Sequence, residues 1–429
     1  MNPARITVIS TLLLAASLAS SGQDASRGYY KDVFMDSGVR LSTKRDLPAA
    51  RLLGLSMEKL VSTDYEKPTE ADTINQTMII SGYPFDENGI LLYPDGEPRF
   101  RMIYVNGGLA TQHGRSLGES GRNAIRSFVA AGGSYVGSCA GAFITGRYAD
   151  KVEDSPRKEY LDIWTGGYGV TTGINDSYTG QYVPDDSPLR RYCDFGGRHV
   201  LDSVYHCNGC YACNDGNAPE GTETLMRYVA DTFRLDPPIH MEVSCWAYKK
   251  NDGTGRVVAC GSHPESVTSG VQLDLMASLI RYALDGNGTP SIKGVLRNGE
   301  PRTMDRMTHD GQPEYTGIGD RQYHHYCIDV PDGVEELTVT LGHMPGRQSY
   351  DMHIFARYGS FAYMGAADCS NVAFGFDKTL KIVRPKAGKL YVSVYCATTV
   401  DTVETVYGTQ YTGRLDVLNG VPYTITVDY

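Results

Sequence analysis

The stretch Gly137-Ser138-Cys139-Ala140-Gly141-Ala142-Phe143 decides how the rest of the chain is read. It follows Ser134-Tyr135-Val136, a short run suited to a buried strand, and helical spacing resumes after Cys139 towards Arg147. A cysteine on so sharp a strand-to-helix turn is pushed up and out of a sheet. Glycines two positions to either side leave it steric room, and the N-terminal end of the next helix favours a thiolate. Upstream, residues 101–105 (RMIYV) read as a buried parallel strand opening into the loop Asn106-Gly107-Gly108. Residues 116–131 carry the spacing of an amphipathic helix, stopped by Gly132-Gly133. Strand, helix, strand, helix in this order predicts a right-handed parallel α/β layer. A cysteine packed for structure in a glycine-rich turn is the alternative that this pattern alone leaves open.

A cysteine becomes a strong nucleophile at neutral pH beside a base, and the base needs a third group to fix its tautomer. His263-Pro264-Glu265 follows a predicted strand at 256–260, which places an imidazole just past a strand end in the same layer. In extended backbone the side chains of His263 and Glu265 project to one side, so the carboxylate can reach the ring. Backbone N–H groups of Gly107 and Gly108, with that of Ala140, are placed to hold a tetrahedral oxyanion. Cys139, His263 and Glu265 are therefore the candidate catalytic residues, with Gly107, Gly108 and Ala140 as the candidate oxyanion hole.

The whole chain has 429 residues, with Lys+Arg 40 against Asp+Glu 50 for a net charge of -10. That balance, with no basic block, argues against nucleic acid or an anionic membrane as partner. A small molecule or a peptide is the expected substrate, and neither a cofactor nor a metal is expected. Residues 1–22 read as a signal peptide: a short positive start, an apolar run at 6–19 and small residues after it. No later stretch is apolar enough for stable membrane insertion, and a secreted or periplasmic protein is the expectation. Ten cysteines in an exported chain can pair. Cys207, Cys210 and Cys213 have a spacing that could offer thiolates to a metal, though disulfides or a plain loop suit it equally. His206, His240, His324 and His325 show no ligand spacing. The segment Trp164 to Tyr168 could line a site by aromatic stacking, against the plainer reading that it caps the core.

Other elements follow from periodicity. Strands are expected at 29–35 and 77–80, a helix at 47–60, a loop at 62–75, an antiparallel pair at 241–248 and 256–260, and a helix at 271–284. Pro, Gly, Arg and Asp dominate residues 286–317, as in a linker. Residues 318–429 offer short strands and no helix, the pattern of a small all-β sandwich.

The order and spacing of Asn106-Gly107-Gly108, of GSCAGAF at 137–143 and of SHPE at 262–265 resemble the class I glutamine amidotransferase-like fold. The branch most similar is the one related to the N-terminal domain of biotin–protein ligase, whose elbow also reads GxCAGA. The resemblance covers 28–285 and implies a parallel-sheet α/β/α sandwich of flavodoxin-like type, with Cys139 as nucleophile, His263 as base and Glu265 as orienting acid. Residue 140 is Ala, unlike the branch in which His follows the Cys. Residues 326–331, 337–341, 351–355 and 385–392 resemble a bacterial pre-peptidase C-terminal domain, with its aspartate-rich stretch reduced to Asp351. Two functions compete. One is an exported cysteine hydrolase or amidase cleaving a peptide or γ-glutamyl-type amide, with no partner synthase to feed. The other is a catalytically silent binding or scaffold protein with the sandwich as adhesion module.

Overall fold

The computed structural model describes residues 28–83, 87–148, 157–171, 173–213, 218–230 and 239–429. The expected signal peptide at 1–22 lies outside the described residues. The chain divides into two units, Lys31–Pro290 with Val400–Asn419, and Ser291–Thr399 with Gly420–Tyr429 and the described residues before Lys31.

The first unit is a mixed α/β domain. Its strands are β1 (Lys31–Ser37), β2 (Met57–Val61), β3 (Phe100–Val105), β4 (Ser134–Ser138), β5 (Arg147–Tyr148), β6 (Gly167–Val170), β7 (Ser177–Tyr182), β8 (Val200–His206), β9 (Cys210–Ala212), β10 (Thr222–Val229), β11 (Val243–Tyr248) and β12 (Val257–Cys260). Its helices are α1 (Pro48–Leu52), α2 (Glu70–Ser81), α3 (Ala110–Ser116), α4 (Gly118–Ala130), α5 (Ala140–Phe143) and α6 (Val271–Leu284). The sheet runs β2-β1-β3-β4-β12 with all five strands parallel, then β11-β10-β7-β8 antiparallel. β3 and β4 are buried along their whole length, as a sheet covered on both faces requires. Val33, Met35, Met102, Tyr104, Val136 and Val258 share one core with Leu275, Leu279, Ile280 and Ala283 of α6. Phe34, Ile103 and Tyr135, one residue out of step, are equally buried and point to the opposite face.

Several local expectations give way to tertiary structure. The helix expected over 47–60 ends after one turn, because Gly54 takes a left-handed φ of 67°, and β2 follows. The loop expected at 62–75 runs only to Thr69, and its end together with the strand expected at 77–80 is overtaken by α2. There the Thr69 side chain accepts from the Asp72 N–H while the Asp72 carboxylate accepts from the Thr69 N–H, a capping box that starts a helix before the apolar residues arrive. The helix expected at 116–131 is present as α4, and a separate short helix, α3, precedes it, the two being divided at Gly118, φ 63°.

The second unit contains two sheets. One joins β13 (Ile292–Val295), β15 (Tyr323–Val330), β20 (Gly388–Cys396), β17 (Met352–Tyr358) and β18 (Cys369–Asn371). The other joins β14 (Arg302–Met304), β23 (Tyr423–Asp428), β16 (Glu336–His343) and β19 (Lys378–Val383). Leu337, Val339 and Leu341 of β16 and Tyr423, Ile425 and Val427 of β23 are buried in strict alternation, the period of a sheet with one face inward. The stretch 286–317 is not a bare linker, since β13 pairs with β15 and β14 with β23. Nor is 318–429 continuous: β21 (Asp401–Thr405) and β22 (Gly408–Thr412) form a hairpin on β2 of the α/β unit. Such non-local pairing leaves no periodic mark in sequence.

Candidate active site

The parallel strands β1, β3, β4 and β12 end at Ser37, Val105, Ser138 and Cys260, and the loops beyond such carboxyl ends are where an open α/β sheet binds its ligands. Cys139 stands there with φ 47° and ψ -104°, a backbone that costs a non-glycine residue on the order of 1–3 kcal/mol. Its N–H donates to Cys260 O at 2.8 Å and its C=O accepts from Phe143 N at 2.9 Å. The flanking glycines are explained by crowding. A Cβ on Gly137 would lie 2.3 Å from Gly141 O, and one on Gly141 would lie 2.3 Å from Val105 O.

His263 is fixed by its own N–H, which donates to Tyr205 O at 2.8 Å, and by Nδ1, 2.9 Å from Glu265 Oε1. The two side chains meet through a 3₁₀ turn at Pro264–Ser266, which corrects the extended backbone expected here. Burial alone would lower the imidazole pKa, but the Glu265 carboxylate and the Cys139 thiol overcome it and hold His263 well above the ordinary histidine range. Burial pushes the Glu265 carboxyl up, and the imidazole, helped by Lys44, brings it below its usual value. Lys44 also donates to Ser266 Oγ. Among the described residues Glu265 Oε2 has no hydrogen-bond partner.

The glycine loop closes the third side. A Cβ on Gly107 would lie 2.2 Å from His263 Cε1 and 3.2 Å from Cys139 Cβ, so the glycine loop, the His263 ring and Cys139 meet at one point. Ser42 N donates to Gly107 O and Leu109 N to Arg40 O, both at 2.8 Å. Gly108, φ 153°, has room for no side chain, since its Cβ would lie 2.2 Å from Arg40 O. Among the described residues the N–H groups of Gly107 and Gly108 have no protein acceptor, and Ala140 N–H opens a helix, where no intrahelical acceptor exists.

Four neighbours escaped sequence reading as part of this site. Cys139 Sγ lies 3.7 Å from Cys207 O, and the Tyr205 ring centroid is 5.4 Å from that of His263. The Tyr65 phenol is pushed up by burial and by charge at Glu66, Cys139 and Cys207. His206 is buried, with Nδ1 3.0 Å from Ser262 Oγ and Nε2 2.6 Å from Thr171 Oγ1; burial lowers its pKa to about 4. None of these stands at a fixed spacing from Cys139, and only the antiparallel return of β8 brings 205–207 there. Trp164, by contrast, is fully buried, its ring centroid 4.9 Å from that of Trp246, and it lines no open site. Cys139, Cys207, Cys210 and Cys260 are free thiols, and among the described residues no three His, Cys, Asp or Glu side chains converge as a metal would need.

The family model described as biotin-protein ligase, N terminal, matches residues 93–158. No curated protein matches the chain. Among solved structures, a glutamine amidotransferase is 15% identical and aligns over 58% of this chain and 98% of its own, with a TM-score of 0.34. A glutamine amido transferase from Methylobacillus flagellatus is 10% identical over 61% of this chain and 97% of its own, TM-score 0.34. The pre-peptidase C-terminal domain of a collagenase from Bacillus anthracis is 11% identical over 33% of this chain and 100% of its own, TM-score 0.18. The family match takes in the glycine loop and the Cys139 elbow and ends before His263 and Glu265, whose placement therefore rests on this chain's own geometry.

Proposed function

We propose that this protein is an exported cysteine hydrolase that cleaves an amide bond, of peptide or γ-glutamyl type, on a class I glutamine amidotransferase-like domain. The observation that carries the reading is the meeting of Cys139, His263 and Gly107 at one point, with the His263 Nδ1 on Glu265. Because Nδ1 faces Glu265, Nε2 is the nitrogen left to exchange a proton with sulfur and substrate. The Cys139 thiolate attacks the amide carbon, and the carbonyl electron pair moves to oxygen, where the N–H groups of Gly107, Gly108 and Ala140 receive it. Collapse expels the amine, which takes its proton from His263, and leaves a thioester on Cys139. Water then attacks the thioester, giving its proton to His263, and releases the acid and the cysteine.

The test is the rate of iodoacetamide labelling at Cys139 against pH, in the wild type and in His263→Ala, followed by a screen of amide substrates with Cys139→Ala as the dead control. A labelling pKa well below about 8.5 that rises in the variant is expected. An ordinary labelling pKa indifferent to His263, or turnover surviving in Cys139→Ala, would overturn the proposal.

A further inference from the structure

Cys207 is the sulfur that the mechanism above leaves unused although it borders the nucleophile. Its carbonyl is 3.7 Å from Cys139 Sγ, its own Sγ donates to Asn175 Oδ1 at 2.9 Å, and it is half-buried. It lies just past the end of β8, beside Asn208 with a left-handed φ of 46°, so no strand ladder fixes it. The other sulfurs of this region are differently placed. Cys210 and Cys260 sit in strands and are buried, and burial holds the Cys210 thiol well above its ordinary range, which starves it of the thiolate needed to attack another sulfur.

We propose that Cys207 is the resolving thiol of Cys139, and that a peroxide converts the pair into a reversible disulfide that shuts the site. The proposal rests on Cys139 being the activated thiol. The Cys139 thiolate attacks one peroxide oxygen, the O–O bond breaks, and an alcohol or water leaves while sulfur becomes a sulfenic acid. The Cys207 thiolate then attacks the Cys139 sulfur; the S–O bond breaks, hydroxide departs and is protonated to water, and the S–S bond forms. The two electrons that reduce the peroxide come from the two thiols. The Cys207 side chain must turn from Asn175 towards Cys139, and a disulfide holds its Cα atoms roughly 4.4–6.8 Å apart. In the linked state Cys139 cannot attack a carbonyl, and a dithiol reductant restores it.

The experiment treats the reduced full-length chain with a few equivalents of hydrogen peroxide and maps its peptides without reduction. A Cys139–Cys207 linked peptide is expected, with iodoacetamide labelling of Cys139 falling at least tenfold and returning after dithiothreitol. In Cys207→Ser the link is lost, and Cys139 is trapped as sulfenic acid by a 1,3-diketone. Oxidation of Cys139 to sulfinic acid without a link, or a link to Cys210 instead, overturns the role of Cys207 and leaves the activated thiol standing. A Cys139 that stays reduced while other cysteines oxidise overturns both.

Discussion

Gly107 and His263 are in such close apposition that a Cβ on the glycine would sit 2.2 Å from the imidazole Cε1. The obstacle is the far end of a side chain, so Gly107→Ala displaces the imidazole without disturbing backbone. The expected outcome is a folded protein, by circular dichroism and melting temperature, whose Cys139 alkylation at pH 6 slows by about tenfold to a hundredfold, since small misplacements of a catalytic group cost that much. An unchanged rate would mean that His263 does not activate the sulfur.

The Glu265 carboxylate is what lifts His263 above its ordinary range against burial, and this gives a pH dependence with a definite sign. A thiolate–imidazolium pair is assembled as pH rises through the cysteine's titration and lost as it rises through that of the histidine. The alkaline limb of kcat/KM should therefore lie above about 6.5, the unperturbed histidine value. Glu265→Gln keeps the shape but removes the charge, so that limb should move to lower pH while the acid limb moves little. A profile with an unmoved alkaline limb would remove Glu265 from its role.

How much of this was legible in sequence depends on how local each signal was. The elbow was readable because its glycines answer to contacts within a few residues, Gly137 against Gly141. Helix α6 was readable because Leu275, Leu279 and Ala283 face one core, and the structure gives it the bounds that periodicity gave. Residues 77–80 were misread because an apolar run of four does not distinguish strand from helix, and the Thr69–Asp72 cap that decides it lies outside the run. Cys207, His206 and Tyr205 reach the site by the pairing of β8 with β7 and by the bridge from Tyr205 to His263. The hairpin of 400–419 joins β2 through Leu60 and Gly408. Contacts across such separations are fixed by topology and leave no period to read.

Crowding at the elbow is with backbone, and this makes it a stability determinant distinct from the chemistry. Gly137→Ala would place a Cβ 2.3 Å from Gly141 O and 2.4 Å from its carbonyl carbon, neither of which can rotate away. A loss of about 3 kcal/mol is expected, at the upper end of overpacking costs. Gly253→Ala, whose nearest neighbour would be Asn251 Oδ1 at 3.4 Å, should change stability by less than about 0.5 kcal/mol. Urea midpoints of the two variants at pH 7 check the contrast, and equal effects would refute the crowding account.

His206 provides a stability signature of the buried network behind the site. Its side chain is inaccessible, holds Ser262 and Thr171, and has a pKa lowered to about 4 by burial and by the neighbouring His263. In the unfolded chain a histidine takes up its proton near 6.5. Between those values the unfolded state binds more protons than the folded one, so stability falls as pH drops from about 6.5 towards 4 and levels off below. The gap in pKa corresponds to about 3 kcal/mol. His206→Gln cannot titrate, so the difference in unfolding free energy between wild type and variant should be constant above pH 7. It should shift against the wild type by up to that amount at pH 4. A difference that stays flat across this range would show that His206 titrates in the folded protein as it does in the unfolded chain, which would overturn the account of a neutral imidazole accepting from Gly209 N at 3.2 Å.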